Sequence, residues 1–197
     1  MATTVLECQE FAIVFLDTEG FDAVGASETM AMSLLTLTTL LSSFLIYNSK
    51  KVPTKVDLDK IRCFSQLSTS LLTECGELMS MDVRKAFFPH FLWLLRDVSL
   101  KMTDREGKEL APTEFLHTRV LASESGELTD LGKSLVGLFP SSLECATIPL
   151  PSINPRVLRD LFNHQEKLSG RFNDKINIVT QQILQKLAPK KAVDGLL

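Results

Sequence analysis

The sequence predicts an α/β fold: three layers, with a mainly parallel sheet flanked by helices. Three observations predict it. Apolar runs too short for helices end abruptly in charge, as in Ile13-Val14-Phe15-Leu16-Asp17 and Phe91-Leu92-Trp93-Leu94-Leu95-Arg96-Asp97. Segments with apolar residues at helical spacing alternate with these runs, which is the order of a parallel sheet. A chain of 197 residues that is 45% hydrophobic supplies one domain with a proper core.

In chain order, Ala12 to Leu16 reads as a buried, continuously apolar strand. Ser27 is placed to cap a helix with Glu28 in its first turn and Met30, Leu34, Leu37 and Leu41 on one face. Ser43 to Tyr47 is a second buried strand, ended by Asn48. Pro53 opens a helix marked by Leu58, Ile61, Phe64, Leu67, Leu71 and Cys75. Pro89 marks the approach to a third strand, Phe91 to Leu95. The run Asp104-Arg105-Glu106-Gly107 is a turn. Short helices are expected over Thr113 to Leu121 and around Leu131, Leu135 and Leu138, with a weaker fourth strand at Glu144 to Ile148. Phe172, Ile176, Val179, Ile183 and Leu187 form the clearest helical stripe, suited to core or partner packing.

Composition excludes several classes. A formal charge of -3 argues against nucleic-acid binding through a broad basic face. Lys186, Lys190 and Lys191 read as a solvated tail. The most apolar stretch, Met30 to Tyr47, is interrupted by Thr36, Thr38, Thr39, Ser42 and Ser43, so it suits a core helix and strand rather than a membrane span. Met1-Ala2-Thr3-Thr4 lacks the basic and apolar segments of a secretory signal. Cys8, Cys63, Cys75 and Cys145 show neither metal spacing nor a paired framework, which fits a reducing, cytoplasmic setting.

Open α/β sheets bind ligands beyond the carboxyl ends of their strands, so two strands that end in charge point to one site. In Asp17-Thr18-Glu19-Gly20, a strand-end carboxylate can hold hydrated Mg²⁺ through water. A glycine three residues on lets its amide approach a terminal phosphate. In Arg96-Asp97 one carboxylate can accept both the N1-H and the N2 amino group of guanine, whereas adenine would leave it without partners. Arg96 is placed to stack on the base or to pair with an acid. No Gly-x-x-x-x-Gly-Lys-Ser/Thr phosphate loop occurs in these residues.

Leu16-Asp17-Thr18-Glu19-Gly20, Leu40-Leu41-Ser42-Ser43, Tyr47-Asn48-Ser49, Phe87-Phe88-Pro89 and Trp93-Leu94-Leu95-Arg96-Asp97-Val98-Ser99-Leu100 resemble, in order, the guanylate-binding protein family of large, dynamin-related GTPases. The likeness continues weakly through Leu110 to Leu116, Leu138-Phe139-Pro140 and Cys145. It implies a P-loop-GTPase-like sheet, truncated at its N-terminal side, with residues 1–188 a partial GTPase domain and 189–197 a tail. It places Asp17, Thr18, Glu19, Gly20 and Phe21 on the phosphate and Mg²⁺ side, with Asp17 reaching the metal through water. Arg96 and Asp97 fall in the guanine-specificity motif. The implied partners are GTP or GDP, and a second copy through the GTPase domain.

Three departures from the family stand out. Leu94 replaces a threonine and bears on packing. The segment Phe21-Asp22-Ala23-Val24-Gly25-Ala26 is less acidic than the family's switch. By the resemblance, the P-loop, its lysine and the first switch threonine would lie before Met1. The strand leading into that loop would lie between the Ala12 and Ser43 strands, which are therefore expected to carry unpaired edges. The fragment is then expected to be inactive as a GTPase, because phosphoryl transfer rests on that loop for positioning and charge neutralisation. A non-catalytic interaction fragment is the alternative. A haloacid-dehalogenase-type phosphatase is a further one, although Glu19 and Phe21 depart from its Asp-x-Asp-Gly-Thr opening.

Overall fold

A computed structural model describes residues 2–7, 11–18, 28–74 and 81–190. Its centre is a three-stranded parallel sheet in the order β3 (Phe44–Lys50), β4 (His90–Arg96), β5 (Leu143–Ile148). The β4 strand lies between the other two, and Phe91, Leu92, Trp93 and Leu95 are buried. This is the near-continuous apolar pattern of a parallel strand covered on both faces. The expected sheet flanked by helices is therefore present.

One face carries α1 (Glu28–Leu41), α2 (Lys55–Glu74) and α5 (Asp130–Leu138), which contribute Leu35, Ile61, Phe64, Leu135 and Leu138 to the main core. Phe64, Phe91 and Phe139 pack at centroid distances of 4.6–5.6 Å. The other face is covered by α7 (Gly170–Lys186), whose Phe172, Ile176, Val179 and Ile183 meet Phe44, Leu92, Leu94, Ala146 and Ile148. The stripe on the last helix is thus core packing, and Leu94 serves packing as expected. Two caps follow from local sequence. Thr54 and Asp57 exchange hydrogen bonds across the start of α2, and Ser169 accepts from the Phe172 amide at the start of α7.

Between β4 and β5 the chain makes two matching turns, at Asp104–Gly107 and Ser123–Gly126. Each closes with a glycine at φ +84°, a conformation that an L side chain resists. The expected helix over Thr113 to Leu121 is a short α4 (Pro112–Phe115) that widens into a π-helical turn, Leu116–Val120. This segment closes the outer edge of β5. The Thr113 hydroxyl accepts from the Cys145 amide at 3.1 Å and donates to its carbonyl at 3.2 Å, while His117 Nε2 bonds the Leu143 carbonyl at 2.8 Å.

Three expectations need correction. The Ala12 strand, β2 (Ala12–Asp17), does not join the parallel sheet. It pairs antiparallel with β1 (Ala2–Glu7), in full register from Ala2↔Asp17 to Glu7↔Ala12. It is also not buried: Val14 and Phe15 are about half exposed, at 52% and 51%. Nor is the basic C-terminal cluster simply solvated. Lys186 pairs with Glu144, and Lys190 donates to the Ser42 and Phe87 carbonyls and lies 5.8 Å from the Phe87 ring centroid. Burial pushes the Lys190 amine down to about 8. Lys191 and the Ser27 cap lie outside the described residues, as does Cys75. Cys63 and Cys145 are free, and burial pushes the Cys145 thiol up to about 12.

Among the described strands β2 pairs only with β1, and β3 pairs only with β4. No helix among the described residues is long and apolar enough to cross a membrane.

Candidate guanine-nucleotide site

The pairing Lys50↔Arg96 sets the carboxyl ends of β3 and β4 level. Both strands then turn sharply through a residue of positive φ, Lys51 at 63° and Asp97 at 58°. Aspartate tolerates this left-handed region better than most residues, whereas for lysine it is uncommon. Such departures cluster where ligands bind. The Lys51 amide donates to the Arg96 carbonyl at 2.7 Å, so the ladder runs to its last residue before the two chains part. Val98 bonds Ile148 at 3.3 Å, which ties the other side of the Asp97 turn to β5.

Arg96 is exposed, and its Nε donates to Asn48 Oδ1 at 2.6 Å. The acid partner considered for it is replaced by an amide that holds the guanidinium along the strand ends. Trp93 Nε1 donates to Ser49 Oγ at 2.8 Å, fixing the same stretch of β3 from beneath. Asp97 is half-buried, one residue past β4.

A cavity of about 1170 Å³ opens between β2 and β3. It is lined by Asp17 and Thr18 from the end of β2, by Asn48, Ser49 and Lys50 from β3, by Arg96 from β4, and by Asp57 and Lys60 from the first turns of α2. The structure therefore brings Asp17, Thr18 and Arg96 to one cavity, with Asp97 adjoining it in sequence but not lining it. Glu19, Gly20 and Phe21 lie outside the described residues.

Sequence reasoning did not single out Lys50 and Lys60 as site residues. Their signal was the short connection from β3 to α2: a strand end followed four residues later by a Thr54-x-x-Asp57 cap returns the first helical turns to that strand end. Asn48 was read only as a strand terminator, and its role as the acceptor for Arg96 follows from the parallel register.

Comparison with known proteins decides the family. The family model described as guanylate-binding protein, N-terminal domain, matches residues 4–192. The chain belongs to the guanylate-binding protein family. Human guanylate-binding protein 3 is 30% identical over 178 residues, covering 85% of this chain and 29% of the relative. Human guanylate-binding protein 1 is 31% identical over 176 residues, covering 83% and 29%. The mouse guanylate-binding protein 1 is 24% identical over 194 residues, covering 93% and 33%. The chain thus spans about a third of the length of these guanylate-binding proteins.

Proposed function

We propose that this chain binds guanine nucleotide through the ends of β2, β3 and β4 and does not turn GTP over by itself. The observation that carries the reading is the single cavity shared by Asp17, Thr18 and Arg96, with Lys50 and Lys60 as cations for phosphate. Asp97 accepts from the two adjacent donors of guanine, and Arg96, held by Asn48, lies against the base.

Asp17 is exposed, whereas Asp57 is already engaged by Thr54. Among the described residues no group of three or more His, Cys, Asp or Glu side chains forms a metal cage. That donor set fits a Mg²⁺ that keeps most of its waters and is shared with nucleotide phosphates, with Asp17 holding it through water. When bound, Mg²⁺ neutralises phosphate charge. The 197 residues contain no glycine-rich loop with its lysine, so nothing described here surrounds the γ-phosphate with amides.

The test is fluorescence titration with labelled GDP and ADP, alongside phosphate release from GTP. Guanine-selective binding with release at background is expected. Asp97→Asn should weaken GDP about ten- to a hundredfold, from the loss of a charge-assisted bond. Equal binding of GDP and ADP, or an unchanged affinity in the variant, overturns the reading. A second reading, a fragment that acts through partner contacts rather than nucleotide, is favoured by the strand edges that flank the same cavity.

A further inference from the structure

We infer that Lys190 is a site of covalent acylation, modified by small acyl thioesters that enter a cavity at the amino end of the parallel sheet. This cavity, of about 290 Å³, lies where β3 and β4 begin, at the opposite end of those strands from Lys50 and Arg96. Ser43, Phe88 and His90 line it from the start of the two strands. Asp82 and Lys85 line it from α3 (Met81–Phe87), and Pro189 and Lys190 from the segment after α7.

The bonds of the Lys190 nitrogen set its direction of attack. Nζ donates to the Ser42 carbonyl at 2.9 Å, one residue past α1, and to the carbonyl of Phe87, the last residue of α3. A lysine nitrogen has three positions beyond its side-chain carbon, all of them protons in the ammonium. Two are taken by these carbonyls. The third points away from both, and it carries the lone pair once the proton is lost. Ser43 and Phe88, which follow the two carbonyls, line the cavity, and the Lys190 side chain is itself exposed. The lone pair is therefore held in place and open to a reactant.

The surroundings supply free amine. Deprotonation leaves both carbonyl bonds intact, and burial among apolar groups lowers the Lys190 amine to about 8, from 10.5. At about pH 7 roughly a tenth of it is then unprotonated, against less than about a thousandth for an ordinary lysine. Of the charged groups around the cavity, Lys85 and Asp82 offset each other in sign. Glu144 and Lys186, which act on His90, are paired with one another. A desolvated lysine is the form in which this side chain serves as a nucleophile.

In the reaction the Nζ lone pair attacks the thioester carbonyl carbon. The C–N bond forms, the C–S bond breaks, and the thiol leaves with the proton that the nitrogen gives up. The product amide has one N–H and no charge, so it holds one of the two carbonyls rather than both. Acylation thus loosens the segment after α7 from the ends of α1 and α3.

The test treats the full chain with S,N-diacetylcysteamine, a small neutral thioester, and follows each lysine by peptide mass spectrometry. At about pH 7, Lys190 should be acetylated at least tenfold faster than Lys85, in the same cavity, and Lys101, which is exposed and paired with Glu109. The Lys190 rate should level off above about pH 8, while that of Lys101 keeps rising. In concentrated urea the three rates should converge. Equal or slower labelling of Lys190, a rate that climbs in parallel with that of Lys101, or a preference that survives urea overturns the inference.

Discussion

The two borders of the parallel sheet are finished in opposite ways. At β5 the outward backbone of Leu143 and Cys145 is taken up by His117 and Thr113. That edge is closed by side chains from the π-turn and the helix before it. At β3 the outward backbone faces a cavity, and beyond the cavity stands a hairpin with half-exposed Val14 and Phe15. Closing a border takes only two polar side chains at the right height. The difference divides the proposed nucleotide site. Arg96 and Asp97 leave the closed, well-packed body of the sheet, whereas Asp17 and Thr18 stand on the hairpin across the opening. Under the proposed reading, the base side is held by the packed sheet, whereas the phosphate side stands on the hairpin.

The largest expected effect breaks the closed side. Phe91 is 1% exposed and packs against Phe139 at 4.6 Å and Phe64 at 5.6 Å between centroids. Phe91→Ala should cost about 3–5 kcal/mol in urea unfolding, through lost burial and the cavity left behind. Phe15→Ala, at a side chain that is 51% exposed, should change stability by no more than about 1 kcal/mol. Similar losses at both positions would mean that the hairpin packs down in solution and the contrast between the borders is false.

A smaller change would make the borders alike. Thr113→Val keeps the shape of the side chain but removes both bonds to Cys145, leaving an amide and a carbonyl at the β5 edge without that partner. The expected cost is about 1–3 kcal/mol. Hydrogen exchange at the Cys145 amide should quicken along with it, while the amides of β4 keep their protection. A variant with unchanged exchange would show that Thr113 does not close the edge.

Much of this contrast was legible beforehand, for physical reasons. The parallel sheet showed in Phe91 to Leu95 because a strand covered on both faces must be apolar at every position. The last helix showed in its Phe172-to-Ile183 spacing because one face meets the sheet. The β1 strand was missed: Thr3 and Thr4 dilute the apolar signal, and its pairing with β2 is set by contacts that local patterning does not encode. The burial of β2 was overread for a related reason, since an apolar run states what a strand needs rather than what covers it. At the candidate site, Asp17, Thr18 and Arg96 were singled out because charge at a strand end stands out, and they line one cavity. Lys50 and Lys60 resembled ordinary surface lysines until the fold brought them to the cavity, and the bond from Asn48 to Arg96 depends on strand register.

The smallest effect lies between the two borders. His90 opens β4, stacks on Phe44 of β3 with centroids 6.2 Å apart, and bonds Ser142 Oγ beside β5 through Nδ1 at 2.8 Å. Burial lowers its pKa below the usual 6.5, and the nearby Lys186 ammonium lowers it further, against an opposing pull from Glu144. The folded protein thus binds this proton less readily than the unfolded chain does. Its contribution to stability is present above about pH 6.5 and is lost as pH falls below it, because the unfolded state gains the proton first. His90→Gln, which cannot titrate, should flatten the fall of the thermal midpoint between about pH 6.5 and 5, while the wild type keeps the steeper slope. Parallel slopes for the two proteins would place the pH sensitivity elsewhere and leave His90 as a packing residue shared by both sides of the sheet.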